Sequence, residues 1–276
     1  MWLSPFGEDD DTPLLQSFLD DAVGPIRPAP QVSPAPDHSV TTLARRNGRS
    51  LAGAVRYVPS TAHRSAHIPW LVPGDDTDIV VPLLGAALEH HRSAGGGTLE
   101  AFHDTTTGGP TGVAAAEQRA IMETFTGLGF AARLRGYVLR GTAPPPTVGI
   151  SHTPLEITSV TPHVDRLSLT SAGRTLAEIF TGRVHDGAAA VWGLAHRPDR
   201  PDAGADLLDI TLARLARHGA ETVTAYTTAV AESAHATNSL AAYREARFTQ
   251  VDWLFSYVSA GPGPEQPPTP PSSTRP

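Results

Sequence analysis

The chain has 276 residues, 40% of them hydrophobic and 18% charged, enough for two domains of ordinary size with a core each. Its 21 basic against 28 acidic residues give a formal charge of −7, which with no basic cluster argues against nucleic acid or anionic membrane as main partner. It contains no cysteine and no lysine, which excludes disulfides, thiolate nucleophiles, Cys-ligated zinc, Schiff-base chemistry and a P-loop lysine.

Leu14, Leu15, Phe18, Leu19 and Val23 fall at helical spacing and predict a short amphipathic helix over 13–24. The prolines of 25–37 predict a loop. Thr41 to Arg46, Asn47-Gly48 and Leu51 to Val58 predict a hairpin, because Asn-Gly suits the tight primed turn. A strand over Ala66 to Val72 follows, then a helix from Asp78 to Arg92 with Gly95 past its end. Thr98 to His103 reads as a strand, 104–112 as a loop, Ala114 to Leu128 as a helix and Arg133 to Arg140 as a strand. The run Pro144-Pro145-Pro146 marks a linker and 152–166 reads as a loop. Strands are then expected over Leu167 to Thr170, Thr175 to Val184 and Ala188 to Ala195. A helix over Ala203 to Arg217, a strand over Thr222 to Thr228, a helix over Asn238 to Ala246 and a strand over Val251 to Val258 complete the order. The Pro-, Ser- and Thr-rich tail from Gly261 has the composition of a disordered segment.

The two runs of elements are copies. Leu83-Leu84, Leu88, Gly95, Thr98, Ala101 and Phe102 recur as Leu207-Leu208, Leu212, Gly219, Thr222, Ala225 and Tyr226, at an offset of 124 (207 − 83, 219 − 95, 226 − 102). Gly48-Arg49-Ser50-Leu51-Ala52 returns as Gly173-Arg174-Thr175-Leu176-Ala177, and Phe130 returns as Phe248. A period this long lies outside the roughly 20–50 residues of solenoid repeats and reads as one duplicated domain. The expected boundaries are 1–142 for the first domain, 143–150 for the linker, 151–260 for the second domain and 261–276 for the tail.

In each copy antiparallel strands lead to a helix, a parallel strand, a second helix and a final strand. This order resembles the GNAT family of N-acetyltransferases over most of 40–140 and 165–258. The residues that carry the likeness are Gly193-Leu194-Ala195-His196-Arg197-Pro198-Asp199, Leu207-Leu208, Gly219 and Leu240-Ala241-Ala242-Tyr243-Arg244-Glu245-Ala246-Arg247-Phe248. The last is similar to the family's helix ending in Tyr, then Gly-Phe, with Arg247 in place of the Gly. Phe125-Thr126-Gly127-Leu128-Gly129-Phe130 keeps Gly-Phe and replaces the Tyr. The resemblance implies an α/β (α+β) fold of two tandem GNAT-like domains, each a mixed, mostly antiparallel sheet flanked by helices.

It also implies an acyl-CoA site where two central strands splay, with the pyrophosphate on the amides that open the next helix. In the second copy this points to Leu194, Ala195, His196, Arg197, Arg200, Ala203, Gly204 and Ala205. With Arg200 as the basic residue, Ala203 and Ala205 stand where the family's loop has small residues; with Gly204 last, Asp202 stands at the first. Asp199, Asp202 and Asp206 add charge of the wrong sign. The first copy offers Pro73-Gly74-Asp75-Asp76-Thr77-Asp78, three carboxylates and no arginine, and is expected to have lost CoA binding. Asp78 and Asp202 are also natural helix caps.

For transfer, Tyr243 is the candidate acid by its place in the matching helix, and Glu178 the candidate base, directly or through water. His196 is an alternative base. A buried aromatic and a solvated strand carboxylate are the corresponding structural roles for Tyr243 and Glu178. Tyr226 is expected to pack, as are Trp192 and Trp253 in core or acceptor wall. His63 with His67, and Glu89-His90-His91, lack a metal-ligand pattern, so no metal is expected. The resemblance implies an acyl-CoA-dependent N-acyltransferase, with acetyl-CoA as donor and a small-molecule amine as acceptor. A non-catalytic binding or scaffold protein, or acyl transfer from another carrier, are the alternatives. The acidic segment 1–11 followed by no long apolar run is unlike a secretory signal, and no run nears the ~20 residues of a membrane span. A cytoplasmic protein is expected, as a pseudo-dimeric monomer or a homodimer.

Overall fold

The computed structural model describes residues 2–23, 39–46, 50–60, 65–102, 113–114, 118–144, 154–228 and 239–259. The Asn47-Gly48 turn, His63, the loop over 104–112, most of the linker and the tail lie outside these residues. The first half runs β1 (Trp2–Pro5), α1 (Glu8–Val23), β2 (Val40–Arg46), β3 (Ser50–Ser60), β4 (Ser65–Val72), a 3-10 turn (Thr77–Ile79), α2 (Val80–Ser93), β5 (Thr98–Ala101), β6 (Val113–Ala114), α3 (Arg119–Gly127) and β7 (Phe130–Thr142). The second runs β8 (Leu155–Thr161), β9 (Val164–Ser171), β10 (Arg174–Gly182), β11 (Ala188–His196), α4 (Pro201–Arg217), β12 (Thr222–Thr228), α5 (Ser239–Glu245) and β13 (Thr249–Ser259).

All strands join one sheet in the order β1-β2-β3-β4-β5-β13-β7-β12-β11-β10-β9-β8, with β6 on β13. The order is palindromic, with a pseudo-twofold axis between β13 and β7. Each half therefore lends its final strand to the other: β7 lies beside β12, and β13 beside β5. The two exchanged strands pair antiparallel from Thr249↔Arg140 to Ser259↔Phe130. This corrects the expectation that Val251 to Val258 closes its own unit. Local alternation makes β7 and β13 strands, but which half each completes is decided by long-range packing.

The helices bury one stripe each, as their spacing dictates. Val80, Leu83, Leu84, Ala87 and His91 of α2 are buried, as are Ala203, Leu207, Leu208, Leu212 and Leu215 of α4, a 3.6-residue periodicity in both. With α3 and α5 they form a core in each half on one face of the sheet. On the other face, Leu15 and Leu19 of α1 pack on Leu43, Ala54 and Trp70. Further along that face Trp192, Tyr226, Val138 and Leu254 form a cluster of their own.

Several boundaries differ from expectation. The helix expected over Ala114 to Leu128 begins only at Arg119, with Ala114 in β6. The expected loop 152–166 holds β8 and the start of β9, joined by the turn Pro162-His163; β8 is mostly exposed and so has no apolar face to betray it. Asp78 does not cap α2: Asp76 caps the 3-10 turn ahead of it, its carboxylate accepting from the Asp78 amide at 3.2 Å, and Ile79, the N-cap of α2, makes no side-chain cap bond. Only the first half inserts a helix, α1, between its first two strands.

Candidate functional site

Strands β11 and β12 pair in parallel from Ala188↔Thr222 to Trp192↔Tyr226 and then part. The parting coincides with a bulge: Glu178 faces Ala195 and Phe180 faces Trp192, leaving Ile179 opposite both Gly193 and Leu194. Gly193 has φ +65, and a Cβ there would sit 2.9 Å from the Phe180 ring, so this bend requires glycine. Beyond it, Leu194, Ala195 and His196 remain paired only with β10 among the described residues, and their other edge opens toward the gap. In the first half the parallel pairing runs from Ser65↔Thr98 to Ile68↔Ala101 and ends at a bulge opposite Tyr57.

The start of α4 is less open than its sequence suggests. Arg197 donates to Asp199 at 2.9 and 3.3 Å, and Arg200 donates to Asp202 at 3.1 and 2.8 Å. These bonds hold both carboxyls below the usual carboxylate range and raise both guanidinium groups. The Asp202 carboxylate lies in the first turn of α4, where a helix N-terminus offers its amides to an anion. Ala203 is buried and Ala205 half-buried. Gly204 packs against His196: a Cβ would lie 2.8 Å from the imidazole Cδ2. His196 is itself buried, with Nδ1 at 3.0 Å from the Arg197 carbonyl oxygen. The small residue Gly204 thus lets helix and strand approach each other.

Tyr243 and Glu178 sit on opposite faces of the sheet. Tyr243, on α5, is fully buried in the core under α4, its ring 5.4 Å from Phe248. Its hydroxyl has no partner among the described residues, and burial pushes its pKa up. Glu178 is half-buried in register with Ala195 and Ser168, on the face of Phe180 and Trp192, whose rings stack at 6.3 Å. Trp192 and Tyr226 are buried, whereas Trp253 is 49% exposed.

Two features of the first half escaped the sequence. Phe125 replaces the helix tyrosine, yet Tyr257 of the exchanged β13 brings a phenol to within 5.0 Å of it, ring to ring. Tyr257 is fully buried, its hydroxyl lacks a partner among the described residues, and burial pushes its pKa up to about 12. At the matching place in the second half, the exchanged β7 supplies Leu139, in register with Ala225 as Tyr257 is with Ala101. The other feature is Arg56, buried on β3. Arginine is ordinarily a surface residue, so neither its burial nor the register of Tyr257 has a local signal.

A cavity of about 320 Å³ lined by residues including His163, Asp165, Arg183, Arg214 and His218 lies at the C-terminal end of α4, away from both gaps. Among the described residues no three His, Asp or Glu gather as metal ligands, and no helix is long and apolar enough to cross a membrane.

The sequence matches no protein-family model and no curated protein. Solved structures do match. The chain is similar to a tandem GNAT protein from the clavulanic acid biosynthesis pathway, at 14% identity, covering 95% of this chain and 99% of that one with a TM-score of 0.61. It is also similar to a GCN5-related glucosamine N-acetyltransferase region in a fungal multi-domain GH3 beta-N-acetylglucosaminidase, at 13% identity and a TM-score of 0.53, over 93% of this chain and 38% of that one. Identities this low speak to architecture, and the architecture agrees along nearly the whole length: the chain is a tandem pair of GNAT folds.

Proposed function

We propose that the second half is an acyl-CoA-dependent N-acyltransferase site, with acetyl-CoA as donor and a small-molecule amine as acceptor. The observation that carries this reading is the gap between β11 and β12 at the Gly193 bulge, with the buried phenol of Tyr243 on one face of the sheet and the carboxylate of Glu178 on the other. The thioester arm would lie along the free edge of Leu194, Ala195 and His196. The amine nitrogen attacks the thioester carbon, forming C–N as C–S breaks. Glu178, directly or through water, takes the proton the amine loses, and the Tyr243 hydroxyl gives one to the departing sulfur. A raised phenol pKa keeps Tyr243 protonated and able to act as acid at neutral pH. Arg197, Arg200 and the segment Ala203-Gly204-Ala205 would meet the pyrophosphate once Asp199 and Asp202 release their arginines. The segments 1–142 and 151–260 are proposed as the two units of a pseudo-dimeric monomer.

The Arg–Asp pairs favour a second reading, in which the donor is a carrier-bound acyl group without the same pyrophosphate contacts, or no donor binds at all. Calorimetry with acetyl-CoA and CoA separates them. One binding site per chain that Arg200→Ala weakens supports the enzyme; no heat at high ligand concentration favours the carrier or scaffold reading.

A further inference from the structure

Arg56 is a buried cation that no carboxylate among the described residues answers. It lies on β3, in register with Thr41 and Trp70. Val55 and Tyr57 on either side point into the core under α2, and Ala54 packs with α1, so Arg56 faces the α1 side. It is 8% exposed. Its Nε has no hydrogen-bond partner among the described residues, and Nη2 makes a long 3.4 Å bond to the Ser39 hydroxyl. No carboxylate of the described residues pairs with it, and burial alone lowers its pKa. Guanidinium stays charged in proteins, and a desolvated charge without a partner is costly enough that native structures pair it.

Arg56 and its neighbour Trp70 lie beside the gap of the first half. The β4–β5 pairing ends at Ile68↔Ala101, so Trp70, the neighbour of Arg56, stands past the point where the sheet opens. On the same face, on the other side of the bulge, His67 lies opposite Val58 and alongside Glu100. The His67 Nδ1 is also buried without a partner among the described residues. Relative to its bulge, Arg56 holds the place that Glu178 holds in the second half: each immediately precedes the residue facing two on the next strand.

We infer that the first half carries a binding site for a small organic carboxylate on this face, in which the Nε and Nη2 edge of Arg56 takes the carboxylate and His67 contributes a further hydrogen bond. That edge of a guanidinium matches a carboxylate with two parallel bonds. With Arg56 as the one guanidinium offered to the ligand and Glu100 beside His67, a singly charged carboxylate suits the site better than a phosphate dianion. The site is separate from the proposed acyl-CoA gap and stands whether or not that gap is catalytic.

Thermal unfolding of the full chain, at fixed pH and ionic strength, tests it with acetate, propionate and inorganic phosphate as probes. The expected result is a saturable rise in Tm with the carboxylates that is absent in Arg56→Met and weakened tenfold or more in Arg56→Lys, which keeps the charge and loses the fork. Without ligand, Arg56→Met should melt no lower than the parent, because it removes an unpaired buried charge. The inference is overturned if no carboxylate shifts Tm saturably, if phosphate acts as strongly as the carboxylates, or if Arg56→Met alone melts well below the parent. Should Arg56→Met fail to fold, Arg56→Lys decides by the same ligand response.

Discussion

The two halves share an architecture and divide its chemistry differently. In the second half, the buried phenol comes from its own helix α5 as Tyr243, and the exchanged β7 adds only Leu139. In the first half, the helix offers Phe125 and the exchanged β13 brings Tyr257. The face above each gap differs too: Glu178 in one half, Arg56 in the other, and α1 covers part of that face in the first half alone. Duplication kept the positions that build the fold and let the positions around the gaps diverge. Because each half completes the other's sheet, the divergence took place within a single folding unit.

The largest expected effect tests that last statement. Expressed alone, residues 145–276 should fail to give a cooperative unfolding transition, and co-expression with 1–144 should restore one. An independently folded second half would contradict the strand exchange. Next comes Gly136→Ala in β7. A Cβ there would sit 1.9 Å from the Thr227 carbonyl oxygen, and backbone on both sides leaves no room to relax. A loss of several kcal/mol or outright unfolding is expected, at the top of the usual ~1–3 kcal/mol cost of overpacking, measured by denaturant melts.

Tyr243→Phe removes the proposed acid while leaving the core shape intact. Activity should fall by about 10²-fold or more, with stability unchanged or slightly raised because the hydroxyl has no partner among the described residues. A large stability loss without a rate effect would assign it a purely structural role. The two buried phenols also set an alkaline limit. Their folded pKa values lie above the unfolded value of about 10, so their contribution is complete below pH ~10 and is lost as pH rises through the folded values. Stability should fall above that pH, and the fall should be shallower when Tyr243 and Tyr257 are both Phe.

Smaller effects concern the loop and one strained residue. Asp202→Gly frees Arg200 and removes a carboxylate from the first turn of α4, and should tighten acetyl-CoA binding by about tenfold at most, in keeping with the size of helix-terminus charge effects; weaker binding would contradict the loop's assigned role. Arg247 sits at φ +63 where the other half has Gly129 at φ +81. Arg247→Gly should stabilise by up to ~1 kcal/mol in chemical melts, relieving a left-handed backbone that disfavours side chains.

Much of this was legible in the residues. The repeated Leu-Leu, Gly and Thr positions mark α2 with β5 and α4 with β12, because helical and strand periodicities are local. The Tyr243 and Phe248 spacing likewise leads to α5. What was not legible depends on contacts across the chain: the partner of each final strand, β8 with its exposed faces, and Arg56, whose type signals a surface position. At α4 the sequence displays arginines and aspartates alike, but only coordinates reveal that Arg197 pairs Asp199 and Arg200 pairs Asp202, so that positive charge counted for a phosphate is already shared.

The central claim is that the two halves are unequal, with donor binding confined to the second. Titration of the full chain with acetyl-CoA by calorimetry, beside Asp202→Gly, tests it most directly. One site per chain, tightened by the substitution, is expected; two sites, or none in either protein, would contradict it.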